Sequence, residues 1–363
     1  MRATTLPLAL TLIICATAAA QDGGRLLERF DEDGDGVIVP DELPRPALFK
    51  RLDGDGDGQL TAAELGGLRD LLGEGLNGAG SGGRRDEESD AAALGSDVVV
   101  VRDVRYASTP GVEARFQSLD LYAPRTPGPH PVVVFLHGGG WRMGDKAIGH
   151  VGAQRGAFLT REGFVYASLN YRLSPKAVHP AHIEDVAAGV AWVASHVAEH
   201  GGDPARIVVM GHSAGAHLAA LVACDPRWLG AHGLGLDALA GAVLLDGAGY
   251  DLDRPRQGAG ADHMRKMYEQ AFGKDPAGWA DASPIAHVGA GAPPFLLFHV
   301  ATRQDSKVTS RALAEALVAA GGQAKVVAAE GKNHGSINRE IGEPGDAVTA
   351  ELLTFLRQGL RPR

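Results

Sequence analysis

Ile207-Val208-Val209-Met210-Gly211-His212-Ser213-Ala214-Gly215 decides how this chain folds. Four apolar residues in a row, three of them β-branched, suit a short buried strand. Residues 214–224 (AGAHLAALVAC) are rich in alanine and leucine and suit a helix. Ser213 therefore stands on the turn from strand to helix. Gly211 and Gly215 on either side let the two backbones approach closely. The serine is lifted clear of the chain at a helix N-terminus, where developing negative charge is favoured. G-x-S-x-G alone is a weak signal, but between a strand and a helix it marks a nucleophile.

Working outward, short apolar runs predict strands at Val98–Tyr106, Val112–Tyr122, Val132–Leu136, Phe164–Leu169, Ile207–Met210, Ala242–Leu245, Phe295–Val300 and Ala324–Ala328. Helical patterns fall near 147–162, 181–200, 214–224, 307–320 and 346–359. The first two strands precede any helix and should pair as an antiparallel hairpin. The alternation that follows predicts a mostly parallel sheet covered on both faces.

Val132–Leu136 runs into His137-Gly138-Gly139-Gly140-Trp141. Acyl transfer builds an oxyanion, which needs backbone N–H donors unobstructed by side chains. A glycine run after the third strand supplies them, and Ala214 N–H adds another. His137 is expected to shape this loop. The base should be a histidine after the last strand, and His334 in Gly331-Lys332-Asn333-His334-Gly335 fits. An acid must hold its imidazole in the right tautomer. Asp305 is the one carboxylate in the loop after the seventh strand and is the expected acid. Asp246, after the sixth strand, is the rival. Asp305 also suits a helix N-cap.

The N-terminal third carries a different signal. Asp31, Asp33, Asp35 and Glu42 occupy positions 1, 3, 5 and 12 of one loop, and Asp53, Asp55, Asp57 and Glu64 repeat the pattern. The carbonyls of Val37 and Gln59 fall at position 7, so each loop offers the all-oxygen set that calcium takes. Gly36 and Gly58 stand where the chain turns sharply, and Ile38 and Leu60 are placed to form a short β-bridge. Val39 at position 9 of the first loop has no side-chain oxygen, a place that water can fill. The pair resembles the EF-hand family, with its loops closer together than in a regular pair. Calcium is the expected ligand, in a structural role.

The large domain resembles the α/β-hydrolase superfamily, and within it the hormone-sensitive-lipase-like and kynurenine-formamidase-like esterases. The resemblance spans roughly 98–360. It rests on His137–Trp141, on Asn170-Tyr171-Arg172-Leu173-Ser174-Pro175 and on Gly211–Gly215. Phe272-Gly273, Ser283-Pro284 and Gly331–Gly335 also fit. It implies an α/β-hydrolase fold with a mostly parallel central sheet, plus a small α-helical EF-hand module. It implies Ser213, Asp305 and His334 as the triad, Gly139, Gly140 and Ala214 as oxyanion donors, and no cofactor for catalysis. Relatives carry a glycine after the histidine that ends strand seven, with the acid four residues beyond it. Here Val300 replaces the glycine and Asp305 lies six beyond His299.

The domain plan is then a signal peptide at 1–20, an EF-hand pair at 22–70, a flexible linker at 71–97 and the catalytic domain at 98–363. Arg2, the apolar run Leu6–Ala20 and Ala18-Ala19-Ala20 read as an export signal, so a secreted or periplasmic protein is expected. No membrane span is expected after its removal. Cleavage would take away Cys15 and leave Cys224 alone, without a disulfide partner. Of the 363 residues, 50 are glycine, and residues 73–96 are too rich in glycine, serine and charge to build a core. The net charge of -9 is concentrated in residues 22–70, which hold 13 acidic against 6 basic side chains. That distribution attracts cations and argues against nucleic acid. Three functions compete. The first is an esterase acting on small acyl or aryl esters or on polysaccharide-linked acyl groups. The second is a formamidase-like amidohydrolase. The third is a calcium-dependent binding protein with a relic hydrolase domain. Met264, Met267, Tyr268, Phe272 and Trp279 are candidate pocket residues.

Overall fold

In the computed structural model the described residues are 36–39, 42–43, 49, 52–53, 58–65, 94, 96–148, 151–247, 249–254 and 261–358. The signal assigned to 1–20, nearly all of the linker, and the ligand positions Asp31, Asp33, Asp35, Asp55 and Asp57 lie outside them. The chain divides into two units, residues 1–85 and 86–363.

The larger unit is built on eight strands: β1 Val98–Arg105, β2 Ser118–Pro124, β3 His130–Leu136, β4 Val165–Leu169, β5 Gly202–His212, β6 Leu239–Leu245, β7 Phe295–Val300 and β8 Ala324–Ala329. The helices are α1 Ala153–Arg161, α2 Ala181–His196, α3 Ala214–Cys224, α4 Pro226–Gly230, α5 Ala261–Phe272, α6 Pro276–Ala282, α7 Gln304–Ala319, α8 Ser336–Arg339 and α9 Ala347–Gln358. The sheet order is β1-β2-β4-β3-β5-β6-β7-β8. β1 and β2 pair antiparallel, as do β2 and β4, and every other pairing is parallel.

The strands explain the two-sided cover. Along β3, Val132, Val134 and Leu136 enter one apolar cluster while Val133 and Phe135 enter the other. Side chains alternate across a strand, so a run that is apolar throughout must be covered on both faces. Every residue of α3 is buried, which fits a sequence that is apolar apart from His217. Full burial of one valine or leucine is worth roughly 1.5–3 kcal/mol, and both clusters contain many such residues.

Several expected boundaries move, two of them near the N-terminal edge of the sheet. The second strand starts at Ser118, because Ala114–Gln117 forms a 3-10 turn. The helix expected from 147 starts at Ala153. The preceding segment is claimed by Lys146, whose buried Nζ reaches Asp120 at 2.6 Å and Asp103 at 2.7 Å. α4, α5, α6 and α8 were not anticipated.

In this sheet β3 has β4 on one side and β5 on the other, so the connections run in opposite directions from it. The crevice at the carboxyl ends of such strands is where open α/β sheets place their ligands. His137–Trp141 follow β3, Ser213 follows β5, Asp246 follows β6, Arg303 follows β7 and His334 follows β8.

In the smaller unit, Ile38 and Leu60 pair as an antiparallel bridge. Two hydrogen bonds close it, Ile38 N–H to Leu60 O at 2.9 Å and Leu60 N–H to Ile38 O at 2.8 Å. Both side chains join Leu43, Phe49, Leu52 and Leu65 in a small apolar cluster.

Candidate active site and EF-hand loops

Ser213 has φ 54° and ψ -118°, a left-handed backbone that a side chain rarely adopts. It is held there by close packing. A Cβ on Gly215 would stand 2.1 Å from Leu136 O, and one on Gly211 would stand 2.2 Å from Gly215 O. Glycine is therefore required at both positions. Ser213 is the one half-buried residue between Ile207 and Cys224, where its neighbours are all buried.

The glycine loop lies directly against this turn. A Cβ on Gly138 would meet Ser213 Cβ at 3.2 Å and His212 Nδ1 at 2.9 Å. Gly139, Gly140 and Trp141 all have positive φ, at 109°, 58° and 58°. Among the described residues no backbone acceptor takes the N–H of Gly139, Gly140 or Ala214. His137 shapes the loop, as expected. Its ring stacks on Tyr171 with centroids 4.4 Å apart, and Tyr171 Oη donates to His137 O at 2.8 Å. Burial holds the His137 pKa down.

His334 Nδ1 donates to Asp246 Oδ2 at 2.7 Å. This corrects the expected acid. Asp305 is exposed in the first turn of α7, which begins at Gln304, so its carboxylate faces outward from the helix. Asp246 is fully buried, with Val300 N–H donating to its Oδ1 at 2.9 Å. Burial alone would raise its pKa. The hydrogen bond from His334 and the charge of Arg303 outweigh that, and hold it well below the usual carboxylate range. Arg303 Nη1 donates to Asp246 Oδ2 at 2.5 Å and also abuts His334 Nδ1. His334 Nε2 is buried and has no partner among the described residues.

His212 takes a role that sequence reasoning missed. Its Nε2 donates to His334 O at 2.8 Å, and the two rings lie 4.5 Å apart. Burial, and next the neighbouring His334, lower its pKa well below the ordinary value, so it is a neutral tether. Arg303 was missed as well. The available signal was its place four residues beyond His299, where relatives are expected to carry the acid. Of the expected pocket residues, Tyr268 and Phe272 are buried in the core around Trp141, while Met264, Met267 and Trp279 pack at its edge.

The described parts of the two acidic loops share features with an EF-hand loop. Gly36 and Gly58 have φ 88° and 80°, as a sharp loop turn requires. Gly58 N–H donates to Asp53 Oδ2 at 3.2 Å, which turns this carboxylate into its loop. Val39 N–H donates to Glu42 Oε2 at 3.0 Å and Thr61 N–H to Glu64 Oε2 at 2.9 Å, so both position-12 carboxylates are held from position 9 of their loops.

Sheet order, the serine turn and the His-Asp pair together define the class: the larger unit has the α/β-hydrolase fold, and an EF-hand motif precedes it. The BD-FAE family model matches residues 119–231, and the EF hand model matches residues 47–68. A probable isoprenylcysteine alpha-carbonyl methylesterase of Arabidopsis thaliana is 33% identical over 236 residues, covering 60% of this chain and 48% of that protein. A probable carboxylic ester hydrolase of Mycobacterium tuberculosis is 36% identical over 195 residues, covering 50% of this chain and 42% of that protein. The chain thus spans about half the length of these curated relatives. Esterase B from Lactobacillus rhamnosis shares the fold with a TM-score of 0.63 at 22% identity, over 76% of this chain and 92% of that one. An esterase from Thermogutta terrifontis gives 0.54 at 27% identity, over 72% and 91%.

Proposed function

We propose that residues 86–363 hydrolyse carboxylic esters through an acyl-enzyme on Ser213. The observation that carries this reading is the 2.7 Å bond from His334 Nδ1 to the buried carboxylate of Asp246. With its proton held on Nδ1, His334 keeps a free lone pair on Nε2. That nitrogen takes the proton of Ser213 as Oγ attacks the ester carbonyl. The oxyanion is received by the N–H groups of Gly139, Gly140 and Ala214. Each such donor is worth roughly a hundredfold or more in kcat. His334 then returns the proton to the leaving alkoxide. Water, deprotonated by the same nitrogen, releases the acid and restores Ser213. Asp246 stays ionised throughout.

The esterase names of the relatives support ester over amide chemistry. The proposed substrates are small acyl or aryl esters and acyl groups on polysaccharide. Initial rates on short-chain aryl esters, acetylated xylan, feruloyl esters and N-formylkynurenine test this. Turnover of an ester class that disappears in Ser213→Ala is the expected result. Turnover of N-formylkynurenine alone would move the reading to an amidohydrolase.

Residues 1–20 are read as an export signal. Calcium is proposed for both loops, held by Asp31, Asp33, Asp35, the Val37 carbonyl and Glu42, and by Asp53, Asp55, Asp57, the Gln59 carbonyl and Glu64. When bound, it neutralises the clustered carboxylates and fixes the loops. Calorimetric titration of the chelator-treated protein with calcium should give two sites. Heats no larger than those of buffer would count against both.

A further inference from the structure

Arg303 is the charged residue beside His334 that no hydrolytic step uses. It lies just past β7 and caps α7. Its Nη1 and the Val300 N–H together hold both oxygens of Asp246, at 2.5 and 2.9 Å. The acid is thus carried by β6, where its own backbone is left-handed at φ 46°, but oriented from the end of β7. The same Nη1 abuts His334 Nδ1.

We infer that Arg303 is a positioning residue of the proposed hydrolysis. It fixes the Asp246 carboxylate so that Oδ2 receives His334 Nδ1–H, and it opposes positive charge on the imidazole. The inference rests on the esterase reading above.

Among the described residues, three titratable or charged groups face the imidazole. Asp246 comes from the end of β6, Arg303 from the end of β7 and His212 from the end of β5. His212 is held neutral by burial, so one carboxylate is balanced against one guanidinium. Without Arg303 the carboxylate acts unopposed and favours the imidazolium. The base is then lost to protonation at a higher pH. The carboxylate also loses one of the donors that hold it, and the imidazole loses part of its orientation. A purely structural cap on α7 would affect stability and leave the pH profile unmoved. A guanidinium that bound substrate would raise KM.

The test is the pH dependence of kcat/KM on an uncharged short-chain aryl ester, for wild type, Arg303→Gln and Arg303→Lys, with Ser213→Ala as the blank. In Arg303→Gln, kcat is expected to fall about tenfold or more, with KM within about twofold. The acid limb should move up by about half a pH unit or more. Arg303→Lys keeps the charge and should keep the limb near its wild-type position. An unmoved limb in Arg303→Gln, or a raised KM at unchanged kcat, overturns the assignment while leaving the esterase reading intact. Activity that survives Ser213→Ala overturns both.

Discussion

Asp246 Oδ2 and His334 Nδ1 lie 2.7 Å apart, although one residue follows β6 and the other follows β8, two strands away. Asp305, nearer to His334 in sequence, is exposed on α7. The two aspartates therefore make opposite predictions. Asp246→Asn preserves shape but lets the imidazole take the wrong tautomer, and kcat should fall by roughly 10³–10⁴. Asp305→Asn should stay within about twofold of wild type. Parallel steady-state kinetics on one ester decide between them.

The depressed pKa of Asp246 also links the pair to stability. Burial pushes it up, but the His334 hydrogen bond and Arg303 hold it far down. A carboxylate lowered in the folded state stabilises fully above its unfolded pKa, about 4. That contribution is lost as pH falls toward the folded value. The stability difference between wild type and Asp246→Asn should therefore persist from neutral pH and shrink only below about pH 4. Denaturant midpoints measured across pH check this.

The nucleophile turn is fixed by backbone contact. Gly215→Ala places a methyl group 2.1 Å from Leu136 O. It should destabilise by at least about 2 kcal/mol. Gly230→Ala ends α4 in open space at an exposed position. It should change stability by less than about 1 kcal/mol, toward gain. Thermal or urea unfolding of the two variants gives the contrast.

How far the sequence carried these conclusions depended on whether a feature is local. Strand, turn and helix around Ser213 are adjacent in the chain, so hydrophobic pattern and glycine spacing exposed both the fold and the serine turn. His334 followed from chain order. The acid was not legible, because two loops offered an aspartate and only packing shows which one points inward. The early part of the α7 pattern explains the miss: the helix starts three residues sooner than the sequence pattern suggested, and this turns Asp305 outward. The late start of α1 has the same kind of cause, since the Lys146 ion pairs reach back to β1 and β2. His212 was read as a bland neighbour of the serine because its acceptor, the His334 carbonyl, is 122 positions away.

The central claim is that Ser213 is the residue that attacks. Intact-mass and peptide mapping after treatment with a fluorophosphonate probe measure it most directly. One adduct per chain, mapped to Ser213, absent in Ser213→Ala and slowed strongly in His334→Ala, is the predicted result. An unlabelled wild-type protein, or an adduct that persists in Ser213→Ala, would contradict it.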